Sequence, residues 1–185
     1  MLIKKDSTFK SEKELFMCSL YPKKILDIIK DEIQPYSVLD VGCGIGKSLK
    51  YFLDNEIDAW GVENSLIAIS HSLVKDRIIK YNLKKVLNLN RRFDLVWCFE
   101  VIEHIHPSYE KAFLTTLTNH ADKILISAAR PGQGGHGHFN EKLPEYWIEK
   151  FKNLGYSFDK DFTSMLRSTF DNHAGNLLFF IKSAS

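Results

Sequence analysis

Short apolar runs alternate with longer amphipathic stretches along this chain, and that alternation predicts a layered α/β arrangement. Val38, Leu39 and Val41 form one compact apolar run, the pattern of a strand buried on both faces of a parallel sheet. Ala59–Val62, Ile78–Tyr81, Phe93–Phe99 and Lys123–Ser127 read the same way. Helical stretches lie between them: Lys47–Leu53, Ser108–Leu117, and a segment opening at Asn64-Ser65 with Leu66, Ile67, Ile69 and Leu73 as its buried stripe. Pro144 opens a further helix whose Trp147, Ile148, Phe151 and Leu154 share a face, and Gly155 stops it. Tyr156–Phe170 and Leu177–Ile181, joined through Asp171–Asn176, predict a closing hairpin. Ahead of the first strand, Leu15, Phe16, Ile25, Leu26, Ile28 and Ile29 predict helices broken near Pro22, with residues 1 to about 12 loose.

Composition narrows the class. The chain has 185 residues, 44% of them apolar and 26% charged, the balance of an ordinary globule. The expectation is one domain over residues 1–185, with 1–35 as a helical cover and 36–185 as the core. No run reaches the length of a membrane span, and Met1–Lys5 lacks the apolar centre of a signal peptide, so a cytoplasmic location and no membrane partner are expected. Cys18, Cys43 and Cys98 form no C-x-x-C pair; Cys43 and Cys98 fall in predicted core segments and read as buried thiols. A net charge of +2 argues against a dedicated nucleic-acid binder, and Lys84-Lys85 and Arg91-Arg92 read as a solvated rim.

The chemistry gathers around the first strand. Gly42, Gly44 and Gly46 crowd the turn between it and the next helix, where a ligand can press against backbone without meeting a Cβ. The helix start adds free N–H groups and a partial positive charge. The spacing is G-x-G-x-G, not the G-x-G-x-x-G of dinucleotide binders. Glu63, seventeen residues past Gly46, ends the next strand, where a carboxylate in a doubly wound sheet can accept both hydroxyls of a ribose.

VLDVGCGIG, GVENS and FDLVWCFEVIEHI, taken together, resemble the class I S-adenosylmethionine-dependent methyltransferases. The resemblance runs from about Val38 to the C-terminus. It implies a Rossmann-like, doubly wound, seven-stranded, mostly parallel sheet with a C-terminal antiparallel hairpin. It also implies S-adenosylmethionine held by Asp40, Gly42, Cys43, Gly44 and Gly46, with Glu63 and Asn64 at the ribose, and Phe99 and Glu100 alongside. Asn82 and Leu83 fall where the family contacts adenine. The family usually has an acid where Asn82 stands, and Asn82 can accept the same hydrogen bond through its amide oxygen.

Glu100, Glu103 and His104 follow the fourth strand and would share one face of a helical turn. Two carboxylates and an imidazole can bind a divalent ion. Glu-x-x-Glu-His resembles the metal segment of the small-RNA 3′-terminal 2′-O-methyltransferases and a similar segment in ubiquinone-biosynthesis O-methyltransferases. The RNA enzymes supply a further histidine after the fifth strand, which the resemblance assigns to His138, with His136 as an alternative base or substrate contact. The implied ion is Mg²⁺, Mn²⁺ or Zn²⁺. The same segment occurs in class I enzymes that use no metal, where Glu100 lies near the cofactor and His104 acts as a base or lines the pocket. His106 reads as a loop or cap residue, and His71, His120 and His173 as surface. The glycine-rich loop with Gly132, Gly134, Gly135 and Gly137 is either a plain connection or a lid.

The leading functional expectation is methylation of a hydroxyl on a sugar or other small polar acceptor. Methylation of an RNA 3′ end is a second reading. A cofactor-binding subunit without turnover is a third.

Overall fold

A computed structural model describes residues 20–169 and 174–184, together with Ser11 and Leu15. Expectations for residues 1 to about 12, for Phe16 and Cys18, and for the hairpin turn with Phe170, Asp171, Asn172 and His173 fall largely outside the described residues.

Seven strands form one sheet: β1 (Ser37–Val41), β2 (Asp58–Glu63), β3 (Ile78–Lys80), β4 (Leu95–Cys98), β5 (Lys123–Ser127), β6 (Tyr156–Phe158) and β7 (Leu177–Lys182). Their order is β3-β2-β1-β4-β5-β7-β6. β1 to β5 pair in parallel, while β7 runs antiparallel between β5 and β6. This is the expected class I methyltransferase topology. The inner strands are apolar throughout because both faces are covered. One face packs under α4 (Glu110–His120) and α5 (Pro144–Asn153), through Phe113, Leu117, Trp147 and Phe151. The other packs under α1 (Lys23–Ile28), α2 (Lys47–Asp54) and α6 (Lys160–Arg167), through Ile25, Leu49, Phe52 and Leu166. No helix among the described residues is long and apolar enough to cross a membrane.

Four expectations are corrected. The first arm of the hairpin is only three residues long and gives way to α6, because Asp159 accepts the Phe162 N–H as an N-cap and Phe162 and Leu166 fall one turn apart on the sheet side. The helix after Asn64, α3 (Leu66–Ser70), buries Ala68 and leaves Leu66 and Leu73 exposed, so its packing face is rotated from the expected stripe. β4 is shorter than expected, and Phe93 contributes only an isolated bridge to Ala121. His120 is fully buried, not a surface residue. Its Nδ1–H donates to the Thr116 carbonyl at 2.6 Å and its Nε2 accepts the Leu89 N–H at 3.1 Å, which satisfies both ring nitrogens. Pro22 does mark the entry to α1, which runs on into a π-helical turn at Ile29–Ile33. Arg91 and Arg92 pair with Asp58 and Asp122, as rim residues do. Cys98 is buried, and Cys43 is partly so.

The order of the strands reverses beside β1, whose neighbours are β2 on one side and β4 on the other. Ligands of open α/β sheets sit in the crevice beyond the carboxyl ends of the strands at such a reversal. The turn after β1 and the segment after β4 face each other across it.

Candidate active site

The cofactor end of the crevice is built almost wholly from backbone. The N–H groups of Gly42 and Cys43 both donate to the Val62 carbonyl, which locks the turn after β1 onto β2. Gly42 has φ +80°, and a Cβ there would lie 2.5 Å from Val101, so glycine is required by conformation and by the close approach of the segment after β4. Gly44 faces open space, with nothing within 4 Å of where a Cβ would stand. Its N–H donates to Glu63 Oε2 at 2.9 Å, and Glu63 Oε1 accepts the N–H groups of Asn64 and Ser65, both at 2.8 Å. The carboxylate at the tip of β2 is therefore fixed against the glycine turn by three backbone donors.

Asp40 supplies a second carboxyl group here. It is buried, and its Oδ2 has no hydrogen-bond partner. Burial, then the nearby Glu63 charge, raise its pKa to about 8, against a smaller opposing effect of the Leu49 backbone. A cavity of about 100 Å³ opens beside it, lined by Asp40, Gly42, Cys43, Gly44, Phe99 and Glu100 among others. Glu63, Asn64, Asn82 and Leu83 do not line that cavity. Asn82 is exposed and its Oδ1 accepts the Lys84 N–H, while Leu83 is part of the core. An orphaned buried carboxylate next to an open glycine turn fits the cationic methionine end of S-adenosylmethionine, and Glu63 at the turn's far side fits its ribose.

The other end is built from side chains. A 3₁₀ turn at Ile102–His104 follows β4 and carries Glu103 and His104. Glu103 is fully buried, and neither carboxylate oxygen has a hydrogen-bond partner. Burial first, and the adjacent Glu100 second, push its pKa well above the carboxylate range. Ligand atoms of Glu103, His104 and His138 lie within 4.8 Å of one another. The His104 and His138 rings meet edge to face with centroids 4.9 Å apart. His104 Nδ1–H donates to the Gly137 carbonyl at 3.2 Å and His138 Nδ1–H to Glu141 Oε1 at 2.9 Å. Both Nε2 atoms thus keep a lone pair, the arrangement metal-ligating histidines show. Burial, with the His138 charge second, lowers the His104 pKa to about 4.

Glu100 stands outside this trio. Its φ is +53°, and its Oε1 accepts from the Ser127 hydroxyl and from Asn176 Nδ2, which holds it between β4, β5 and β7. His136 is exposed on the glycine-rich loop and close enough to affect His104. His106 accepts the Ser108 N–H and caps a short turn, as expected.

Two carboxylates the sequence reading did not single out organise the loop. Glu141 accepts the N–H groups of Gly132 and Gly134 as well as His138, and these bonds hold its pKa below the usual range. Glu110, buried on α4, accepts from Asn140, Tyr146 and Lys150 and anchors the loop's exit. The Glu103 carbonyl accepts the Phe139 and Asn140 N–H groups, tying the loop to the 3₁₀ turn. Glu141's place three residues after His138 was the available signal.

The sequence matches the methyltransferase domain family over residues 12–170. This chain belongs to that family. It is a class I S-adenosylmethionine-dependent methyltransferase. Solved structures agree in fold. The methyltransferase domain of bacterial CtHen1-C superposes with a TM-score of 0.66 at 18% identity, covering 88% of this chain and 97% of that one. The sugar N-methyltransferase KedS8 from Streptoalloteichus sp ATCC 53650 gives 0.70 at 13% identity, with 100% and 99% covered. Magnesium protoporphyrin IX methyltransferase from Synechocystis PCC 6803, solved with bound SAH, gives 0.66 at 13%, with 88% and 82% covered. No curated protein matches the methyltransferase in sequence.

Proposed function

We propose that this methyltransferase methylates a hydroxyl of a sugar or other small polar acceptor, with a divalent cation held by Glu103, His104 and His138. The observation that carries the reading is the buried Glu103 carboxylate, without a partner, beside two imidazoles whose Nδ1 atoms are already committed. Burial beside Glu100 keeps the Glu103 carboxyl protonated, and a cation meeting it there would take the place of that proton. Glu100 is not among the proposed ligands; it orients Asn176 and Ser127 at the floor of the site.

Asp40, Gly42, Cys43, Gly44 and Gly46 are proposed to hold the methionine end of the cofactor, Glu63 and Asn64 its ribose, and Phe99 its neighbouring face. S-adenosylmethionine supplies a methyl group on a sulfonium, already activated for transfer. The harder part is the acceptor, because an alcohol is barely ionised near neutral pH. A divalent ion at the trio supplies positive charge that favours loss of the hydroxyl proton. With its pKa near 4, His104 is a weak proton acceptor at pH 7 and a suitable neutral ligand. His136, exposed and adjacent, is the group proposed to take the proton and pass it to water. With acceptor and cofactor both bound in the crevice, proximity would supply much of the rate. The test is a screen of sugar, small-alcohol and amine acceptors with methyl-labelled cofactor, with and without Mg²⁺, Mn²⁺ or Zn²⁺. Labelled ether products that vanish on chelation support the reading. Turnover indifferent to EDTA, with no ion in elemental analysis, removes the metal, and labelled amines alone remove the oxygen assignment.

Methylation of an RNA 3′ end is the second reading, favoured by the same trio and by the likeness in fold to the CtHen1-C domain. RNA affinity falling steeply with salt would favour it, while weak binding insensitive to salt would remove it.

A further inference from the structure

A second cavity, of about 430 Å³, opens at the same carboxyl edge of the sheet, beyond β7. Arg130, Lys160 and Arg167 line it, together with Pro144 and Glu145 at the start of α5. Arg167 is fixed: its Nε and Nη2 both donate to the Leu177 carbonyl, at 3.1 and 2.7 Å. Arg130 is fixed too, through its Nη2 on the Gly175 carbonyl, and its Nε is buried without any partner. Neither these arginines nor Lys160 form an ion pair with a carboxylate among the described residues, although pairs are made freely elsewhere on the surface. Burial lowers the Arg167 pKa, and the charge of Arg130 lowers it further against an opposing effect of exposed Glu145. Two fixed guanidiniums therefore face one cavity, and Glu145 is the one carboxylate among the described residues of its lining that offsets them.

Such a pair is costly unless an anion joins it, and a guanidinium presents planar donors that match phosphate or carboxylate oxygens. The ten-residue helix α5 also begins here without a side-chain cap, which adds a partial positive charge. Arg130, which lines the cavity, donates to the Gly175 carbonyl, and the next residue, Asn176, donates to Glu100 beside the proposed site. Its volume suits a small molecule, and a net charge of +2 does not suit an extended polyanion.

We propose that the Arg130–Lys160–Arg167 cavity is an oxyanion subsite that holds a phosphate-type group of the small acceptor. The assignment to the acceptor rests on the function proposed above; the oxyanion site itself does not.

Inorganic phosphate, titrated calorimetrically against chloride at constant ionic strength, tests it without acceptor or turnover. Saturable binding is expected, weakened about tenfold or more by Arg130→Gln, for loss of a charge-assisted hydrogen bond, and about threefold by Lys160→Gln. S-adenosylhomocysteine affinity, measured on the same samples, is expected to stay within twofold and reports that each variant is folded. Phosphate that fails to saturate the unmodified protein, or that binds both variants unchanged, overturns the subsite. Failure of the oxygen or metal assignment leaves the phosphate result standing, so the two can be told apart.

Discussion

The two ends of the crevice are made in different ways. At the cofactor end the hydrogen bonds lie between Gly42 and Ser65, and backbone N–H groups of Gly44, Asn64 and Ser65 converge on one carboxylate. At the acceptor end some contacts join residues thirty or more positions apart, as His104 to Gly137 and Asn140 to Glu110 do, and side chains take part in most of them. A backbone-built site tolerates change in all but its glycines and its acid. A side-chain-built site can be retuned one residue at a time while the sheet below stays the same. Cofactor binding is accordingly the fixed part of this enzyme and acceptor choice the variable part.

Breaking one end without the other gives the sharpest contrast. His138→Ala is expected to lower turnover by about 10²- to 10⁴-fold, the range for a group acting on the reacting proton or its metal, with S-adenosylhomocysteine affinity within twofold. Steady-state kinetics beside calorimetry reads both; unchanged turnover would take His138 out of the site. Glu63→Ala should do the reverse. Losing charge-assisted bonds worth about 1.5–3 kcal/mol weakens cofactor binding about 10- to 100-fold, and the loop around Glu103 should keep its structure. Glu141→Gln is a smaller change. It leaves an acceptor for His138 but weakens the hold on Gly132 and Gly134, so a rate loss of about tenfold is expected, with a shifted pH profile and cofactor affinity intact.

The smallest effects are in pH-dependent stability, and the two ends slope oppositely. Folded Asp40 keeps its proton up to about pH 8, whereas an unfolded aspartate releases it near 4. Between those values the folded chain binds more protons, so stability falls as pH rises, by at most about 1.4 kcal/mol per pH unit. Asp40→Asn should flatten that slope in ligand-free protein. His104 acts the other way. Its folded pKa of about 4 lies below the ordinary imidazole value of 6.5, so the unfolded chain binds more protons in that interval and stability is lost as pH falls through it. Denaturant melts from pH 4 to 9 on the ligand-free wild type, Asp40→Asn and His104→Gln would separate the two.

What could be read from the sequence follows the same division. The strand–turn–helix at Val38–Phe52 and the acid at Glu63 were legible because local periodicity and glycine spacing encode them directly. The proximity of His104 and His138 entered through the family resemblance, since no spacing rule joins residues across a loop. That Glu100 turns to Ser127 and Asn176 was not legible, because it depends on β7 inserting beside β5. The helix Lys160–Arg167 falls where the sequence reading placed one arm of the closing hairpin, although aspartate followed one turn later by Phe162 is a helix start. His120 was misplaced because burial of a lone histidine is decided by Thr116 and Leu89, neither of which reveals it beforehand.

The central claim is that the turn after β1 holds the methyl donor, with Glu63 closing on its ribose. Backbone amide shifts of isotope-labelled protein titrated with S-adenosylhomocysteine test it most directly. The account predicts the largest changes at Gly42–Gly46 and at Asn64 and Ser65, with Gly44 foremost because its N–H is bonded to Glu63. Saturable binding that leaves those amides unmoved and shifts another part of the sheet edge would contradict it.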